Sequence, residues 1–223
     1  MKKILLTLLL AVVSSGIAFN TGISLANAQE DDSIYGTHAV LFVPNQAGGE
    51  MKGCTLVYRA VQADYAYLDG KPVVIVGSIR AVQFDEEISF SLKIGVRDLV
   101  GSNQIVRPHF AYLQTKSHST AKVKQKAMDI DGGYRIFAYT LNNKSVQDLL
   151  NEMMLSRKVT IGFNRAEKGM DVLVPIDLDV IDAEYTDDRK VIRKRSKETL
   201  LNFSNCFLTL INQAVHSVDK KKE

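Results

Sequence analysis

Apolar and polar residues alternate with a period of two over much of the chain. In residues 88–96, Ile88, Phe90, Leu92, Ile94 and Val96 fall on one side and Ser89, Ser91, Lys93 and Gly95 on the other. One apolar and one polar face mark a half-buried antiparallel strand. The pattern recurs in residues 170–180, where Val172, Val174, Ile176, Leu178 and Val180 share one face and Asp171, Pro175, Asp177 and Asp179 the other. Shorter strand signals stand at 39–43, closed by Pro44-Asn45 and the Gly48-Gly49 turn, and at 54–61 and 158–163. Residues 105–114 form another, which Pro108 demotes to an edge or bulged strand, and 134–141 follows the Asp131-Gly132-Gly133 turn. Asp69-Gly70 between Tyr65-Ala66-Tyr67 and residues 73–76 is the strongest hairpin dipeptide, with the second strand expected to begin after Pro72. Residues 116–126, rich in lysine, read as an exposed loop or polar hairpin.

Two segments change period. In residues 145–157, Leu149, Leu150, Met153 and Met154 make a helical stripe behind a Ser145 cap, with Asp148 completing a capping box. In residues 197–218, Leu200, Phe203, Phe207, Leu210, Ala214 and Val218 recur at spacings of three or four. The expected fold is therefore mainly β, an antiparallel sandwich or barrel of about eight to ten short strands. One mid-chain helix and a long C-terminal helix pack against it.

The first residues do not belong to that fold. Met1, Lys2 and Lys3 precede an apolar run at 4–13, and Ala26-Asn27-Ala28 precedes Gln29. A positive start, a short apolar core and an Ala-x-Ala site predict a secretory signal at 1–28, leaving a single β-rich domain at 29–223. A ten-residue helix spans about 15 Å, half of a hydrocarbon core of roughly 30 Å. An uncleaved anchor reaching Phe19 is the competing reading, and Gly16-Ile17-Ala18 offers a second cut. No cysteine stands near either cut to carry a lipid, and no later apolar run approaches 18 residues, so no transmembrane segment is expected in the mature chain. Location is expected to be periplasmic or secreted. In an oxidising compartment the two cysteines, Cys54 and Cys206, are expected to form one internal disulfide, with two buried thiols or an intermolecular bond as alternatives. The internal bond would tie the first strands to the last helix.

Composition narrows the function. Hydrophobic residues make up 46% and charged residues 24%, which excludes a disordered or collagen-like chain. Net charge is +3, and removing the signal takes two lysines and no acid, leaving +1, so overall basicity selects no partner. His38, His109, His118 and His216 lack metal-ligand spacing, and Asp129-x-Asp131-Gly132 lacks the rest of a calcium loop. Gly77-Ser78 lacks the second glycine of a nucleophile elbow, since Arg80 stands there. No cofactor is expected. Asp177 and Asp179 form the one acid pair suited to acid–base work, although the further acids at 182–188 also fit a solvated edge. Arg189, Lys190, Arg193, Lys194, Arg195 and Lys197 form a candidate anion-contacting patch, with a solvated linker as the plainer reading. Without interleaved aromatics, nucleic acid is not expected.

Residues 158–163 (Lys-Val-Thr-Ile-Gly-Phe) and 172–178 (Val-Leu-Val-Pro-Ile-Asp-Leu) follow an export signal, an early cysteine-bearing strand, further strands and a helix. This order resembles small secreted Gram-negative proteins such as the invasion-associated locus B family. The resemblance implies a β-sandwich without catalytic residues, linked to host association, and carries no site residue across. The expected function is an exported, non-enzymatic binding or accessory protein of the bacterial envelope or host interface, partnered by a protein or envelope component. The alternatives are an envelope-directed hydrolase built on Asp177 and Asp179, and a structural subunit of an envelope or secretion complex. An enzyme requires convergent polar groups around those aspartates, whereas a binding module requires an apolar groove or a charged patch.

Overall fold

The alternating segments pair as long antiparallel hairpins. The computed structural model describes residues 27–31, 33–84, 87–101, 104–187 and 190–220. Its strands are β1 (Asn27–Asp31), β2 (Gly36–Ala47), β3 (Glu50–Asp64), β4 (Lys71–Phe84), β5 (Glu87–Asp98), β6 (Ile105–Val106) and β7 (Phe110–Gln114). They continue with β8 (Lys126–Ile130), β9 (Tyr134–Thr140), β10 (Lys158–Asn164), β11 (Val172–Asp177), β12 (Val180–Tyr185) and β13 (Val191–Arg195). The helices are α1 (Lys144–Ser156) and α2 (Glu198–Lys220). The protein is mainly β, with antiparallel sheets and a long C-terminal helix.

The largest sheet runs β2-β3-β4-β5-β9-β8, with β6 pairing on β5; a second is β11-β10-β7 and a third β1-β13-β12. Gly48 and Gly49, with φ of +60° and +82°, turn β2 into β3 in the left-handed region that suits a two-residue hairpin. Inside the largest sheet lie Leu56, Tyr58, Ile79, Phe90, Leu92 and Ile94, all buried. The second sheet and α2 share the task of covering that face, with β11 against β2 and β3 and α2 against β2 to β5. The α2 stripe of Leu200, Phe203, Phe207 and Leu210 is buried as expected, and Ile211 joins it. Cys54 of β3 and Cys206 of α2 are bonded, with Cα atoms 5.9 Å apart. Among the described residues no helix is long and apolar enough to cross a membrane.

Several local expectations are corrected. Among the described residues there are thirteen strands, and β2 to β5 are 12 to 15 residues long, not short. Tyr65, Ala66 and Tyr67 lie in a turn, because the buried Asp64 carboxylate accepts the Ala66 and Tyr67 N–H groups at 3.1 and 2.9 Å, donors that a strand would have used. Pro72 lies inside β4, opposite Ala63, near the strand's beginning where a missing N–H costs least. Residues 105–114 split into β6 and β7, in different sheets, around Pro108. Residues 116–126 do form a loop, but β8 starts at its last lysine; its residues are almost all exposed, so no buried alternation announced it. The α1 cap is Asn143, whose side chain accepts the Ser145 N–H at 2.9 Å, and not Ser145. Residues 170–180 are two strands, since β11 ends at Asp177 and β12 begins at Val180 in another sheet. The buried alternation nevertheless continues through Leu178 and Val180. The predicted signal segment lies outside the described residues, except that Asn27 and Ala28 open β1.

Replacing Cys54 and Cys206 together by alanine is expected to lower unfolding free energy by about 2–4 kcal/mol. Denaturant titration of the oxidised protein and the variant checks this; equal midpoints would mean that packing alone seats α2.

Candidate functional site

Asp177 closes β11 and Asp179 sits in the two-residue turn that hands the chain to β12. Each aspartate faces its own arginine. Arg195 donates to Asp177 Oδ2 at 2.7 Å, and Arg157 Nε donates to both oxygens of Asp179 at 2.6 and 2.7 Å. Arg157 is the C-terminal cap of α1 with φ of +60°, and it also donates to the Lys197 carbonyl at 3.1 Å. The turn is held further by Leu178 N–H to the Arg157 carbonyl (2.9 Å) and Ser196 N–H to the Asp179 carbonyl (2.8 Å). Both carboxylates are thus taken up by guanidinium groups of the fold instead of facing an open site. The arrangement therefore works as a clasp between α1, the β11–β12 turn and the segment leading into α2.

The five described basic residues of 190–197 do not gather on one face. Residues 191–195 are strand β13, not a linker, and the pleat sends neighbours to opposite sides. Arg193 is only 5% exposed, and it donates to the Thr37 carbonyl from Nε (2.8 Å) and to the Ser33 and Tyr35 carbonyls from one amino group (3.2 and 2.7 Å). Gly36, with φ of +111°, lets those carbonyls converge on it. Lys194 pairs with Glu184 on β12, and Arg195 with Asp177. Thr186 exchanges hydrogen bonds with the Lys190 backbone, Lys197 is exposed, and Arg189 lies outside the described residues. A cleft of about 300 Å³ beside Asp177, Arg193, Arg195 and Thr160 is lined by this already paired set.

His38 is buried between the Ile34 carbonyl, 2.7 Å from Nε2, and the Tyr185 hydroxyl, 3.1 Å from Nδ1. Burial lowers its pKa, and the nearby positive charges of Arg193 and Arg59 add to this against the raising effect of the Ile34 bond. Asp129 is engaged by Arg135 and Arg107, which hold its carboxyl down to about 2, the reverse of an open calcium loop. Among the described residues no cluster of His, Cys, Asp or Glu is arranged to hold a metal.

Opposite the core, the outer face of the largest sheet has a different composition. Cross-strand register places Leu41, Val57, Ser78, Lys93, Ile136 and Met128 in one row. The next row holds Val43, Thr55, Arg80, Ser91, Ala138 and Lys126, and the row on the other side Ala39, Arg59, Val76 and Gly95. These rows contain four cations and no acid. Among the described residues, none of Arg59, Arg80, Lys93 and Lys126 has a carboxylate partner, whereas the arginines of the clasps all do. Leu41 is 52% exposed and Val43 47%. A shallow groove of about 380 Å³ runs over Leu41, Val57, Val76 and Ser78, with Arg59 and Lys93 at its sides.

Two glycines shape this groove. A Cβ on Gly77 would strike the Lys93 carbonyl oxygen and the Tyr58 hydroxyl, which itself donates to that oxygen at 2.8 Å. A Cβ on Gly95 would meet the Tyr134 ring at 2.8 Å, so the ring lies over bare backbone and receives the Lys93 ammonium 4.2 Å from its centroid. Full burial raises the Tyr58 pKa, keeping its hydroxyl a neutral donor. Sequence reading placed Ser91 and Lys93 on a polar face but missed Arg59 and Arg80, because only strand register brings them beside Lys93. No protein-family model, curated protein or solved structure matches this chain.

Arg193→Met, which strands the buried Thr37 carbonyl and the part-buried Ser33 and Tyr35 carbonyls, is expected to cost about 2–4 kcal/mol. Asp177→Asn, at a partly exposed pair, should cost about 1 kcal/mol or less. Chemical denaturation of the two variants tests the contrast. A His38 pKa lowered in the fold means that protons bind the unfolded chain better. Stability should therefore be complete above the ordinary value of 6.5 and fall as pH drops below it. Melting temperatures across that range should fall less for His38→Gln than for the parent.

Proposed function

We propose that this protein is an exported, non-enzymatic binding protein of the bacterial envelope or host interface, and that it holds its ligand on the outer face of the largest sheet. The observation that carries the reading is the coexistence there of exposed Leu41, Val43 and Val57 with cations lacking acid partners. Apolar area left in water and unmatched charge both lower their free energy when a complementary surface arrives. Export is supported by the Lys2-Lys3 start, the apolar run at 4–13 and the Ala-x-Ala ending at Ala28. The Cys54–Cys206 bond is compatible with an extracytoplasmic location. The arginine pairing of Asp177 and Asp179 speaks against the hydrolase reading. The resemblance to the invasion-associated locus B family points the same way, towards a secreted sandwich without catalytic residues.

Mass spectrometry of protein recovered from outside the cytoplasm is expected to find Gln29 as the first residue; an intact Met1 would contradict export. Retention of envelope components by the purified protein is expected to be lost in Leu41→Asp/Val57→Asp, with the thermal midpoint unchanged. Undiminished retention would move the binding surface elsewhere.

A further inference from the structure

The outer face presents cations and aliphatic side chains as neighbours. Ser78 on β4 lies directly across from Lys93 on β5 and Val57 on β3, and two residues along its strand from Arg80. Arg59 stands diagonally across on β3, opposite Val76. Directly opposed side chains in a sheet are about 5 Å apart and diagonal ones about 7–8 Å, within reach of long cationic side chains. Ser78 is thus a hydroxyl flanked by three positive groups. On its β2 side the surface turns apolar at Val57 and Leu41. An inorganic anion would match the first feature and leave the second in water, and a neutral apolar ligand would do the opposite.

The cations also form a field rather than a track. Arg59, Arg80, Lys93 and Lys126 lie on β3, β4, β5 and β8. With strands about 4.8 Å apart, these charges spread across the sheet, whereas a chain-like polyanion is met by charges in file. Neither ring in the groove is open to base or sugar stacking, since Tyr58 is buried with its hydroxyl on the Lys93 carbonyl and the Lys93 ammonium already covers Tyr134. A layer of phosphate headgroups with acyl carbon beneath matches both the spread of charge and the intervening Leu and Val.

Building on the binding reading above, we infer that the outer face docks on an anionic phospholipid surface. One phosphate lies over Ser78 between Arg59, Arg80 and Lys93, and acyl carbon covers Leu41 and Val57. The contact is electrostatic over β3 to β5 and apolar towards the β2 edge, so salt weakens it without abolishing the apolar part.

Cosedimentation of the disulfide-bonded mature protein with vesicles is the test. Binding is expected to phosphatidylglycerol–phosphatidylcholine vesicles and not to phosphatidylcholine alone. Arg59→Gln/Lys93→Gln should weaken it about thirtyfold, as expected for two surface charges. Leu41→Ser/Val57→Ser should weaken it as well, and unchanged thermal midpoints would show both variants folded. Equal binding to both vesicle types, no binding to either, or indifference to Arg59→Gln/Lys93→Gln would overturn the inference. Saturable binding of inorganic phosphate, in calorimetry, with the same dependence on Arg59 and Lys93 but without vesicle binding would reassign the site to a soluble anion and equally overturn it. If vesicles fail while Leu41→Asp/Val57→Asp still abolishes retention of envelope components, the binding reading stands and only the lipid assignment falls.

Discussion

A long sheet with one apolar face must have that face covered along its whole length, and the rest of this structure follows from how that is done. Strands β2 to β5 present more inner surface than the three strands of the second sheet can shield. Helix α2 supplies the remaining cover, laying Leu200, Phe203, Leu210 and Ile211 on the sheet. Burial of such side chains stabilises by roughly 1.5–3 kcal/mol each, so detaching the helix would expose both partners at once. The Cys54–Cys206 bond joins two parts of the chain 152 residues apart and restricts the unfolded ensemble of nearly everything between them.

Because the sheet's inner side is committed to the core, polar chemistry is displaced to the junctions and the outer side. At the junctions arginines act as fasteners. Arg193 gathers the carbonyls that precede and begin β2, Arg157 joins the end of α1 to the β11–β12 turn, and Arg165 bridges buried Asp64 to Asp98 at 2.9 and 2.8 Å. Removing any one of these cations leaves partners that are buried or partly withdrawn from water, which makes the fasteners stability elements. The outer side has no such commitments. Its cations stand among aliphatic residues, and the glycines at 77 and 95 let the backbone and Tyr134 approach closely enough to form its groove.

Much of the fold was legible in residue order alone. Period-two alternation at 88–96 and 158–163, helical spacing in α1 and α2, and the pairing of the only two cysteines all reflect local geometry or simple counting. So does the Gly48-Gly49 turn. Signals weakened where local geometry competed with itself. Asp64 captured the N–H groups of the following turn, and β8 had no buried side to reveal it. An unbroken alternation at 172–180 concealed a change of sheet, because both strands bury the same face.

By itself the amino-acid sequence determined most of the secondary structure, the apolar surfaces that had to meet, and the two sulfurs available to join them. These depend on neighbours within a few residues, or on residue identity. Tertiary structure alone decided which charges cancel. In the basic run, a candidate anion patch or solvated linker by sequence, Arg193 became a buried hub and Lys194 and Arg195 entered ion pairs, while the scattered Arg59, Arg80 and Lys93 came together beside Leu41 and Val57. Charge pairing acts through space over a few ångströms, and strand register, not order along the chain, sets those distances.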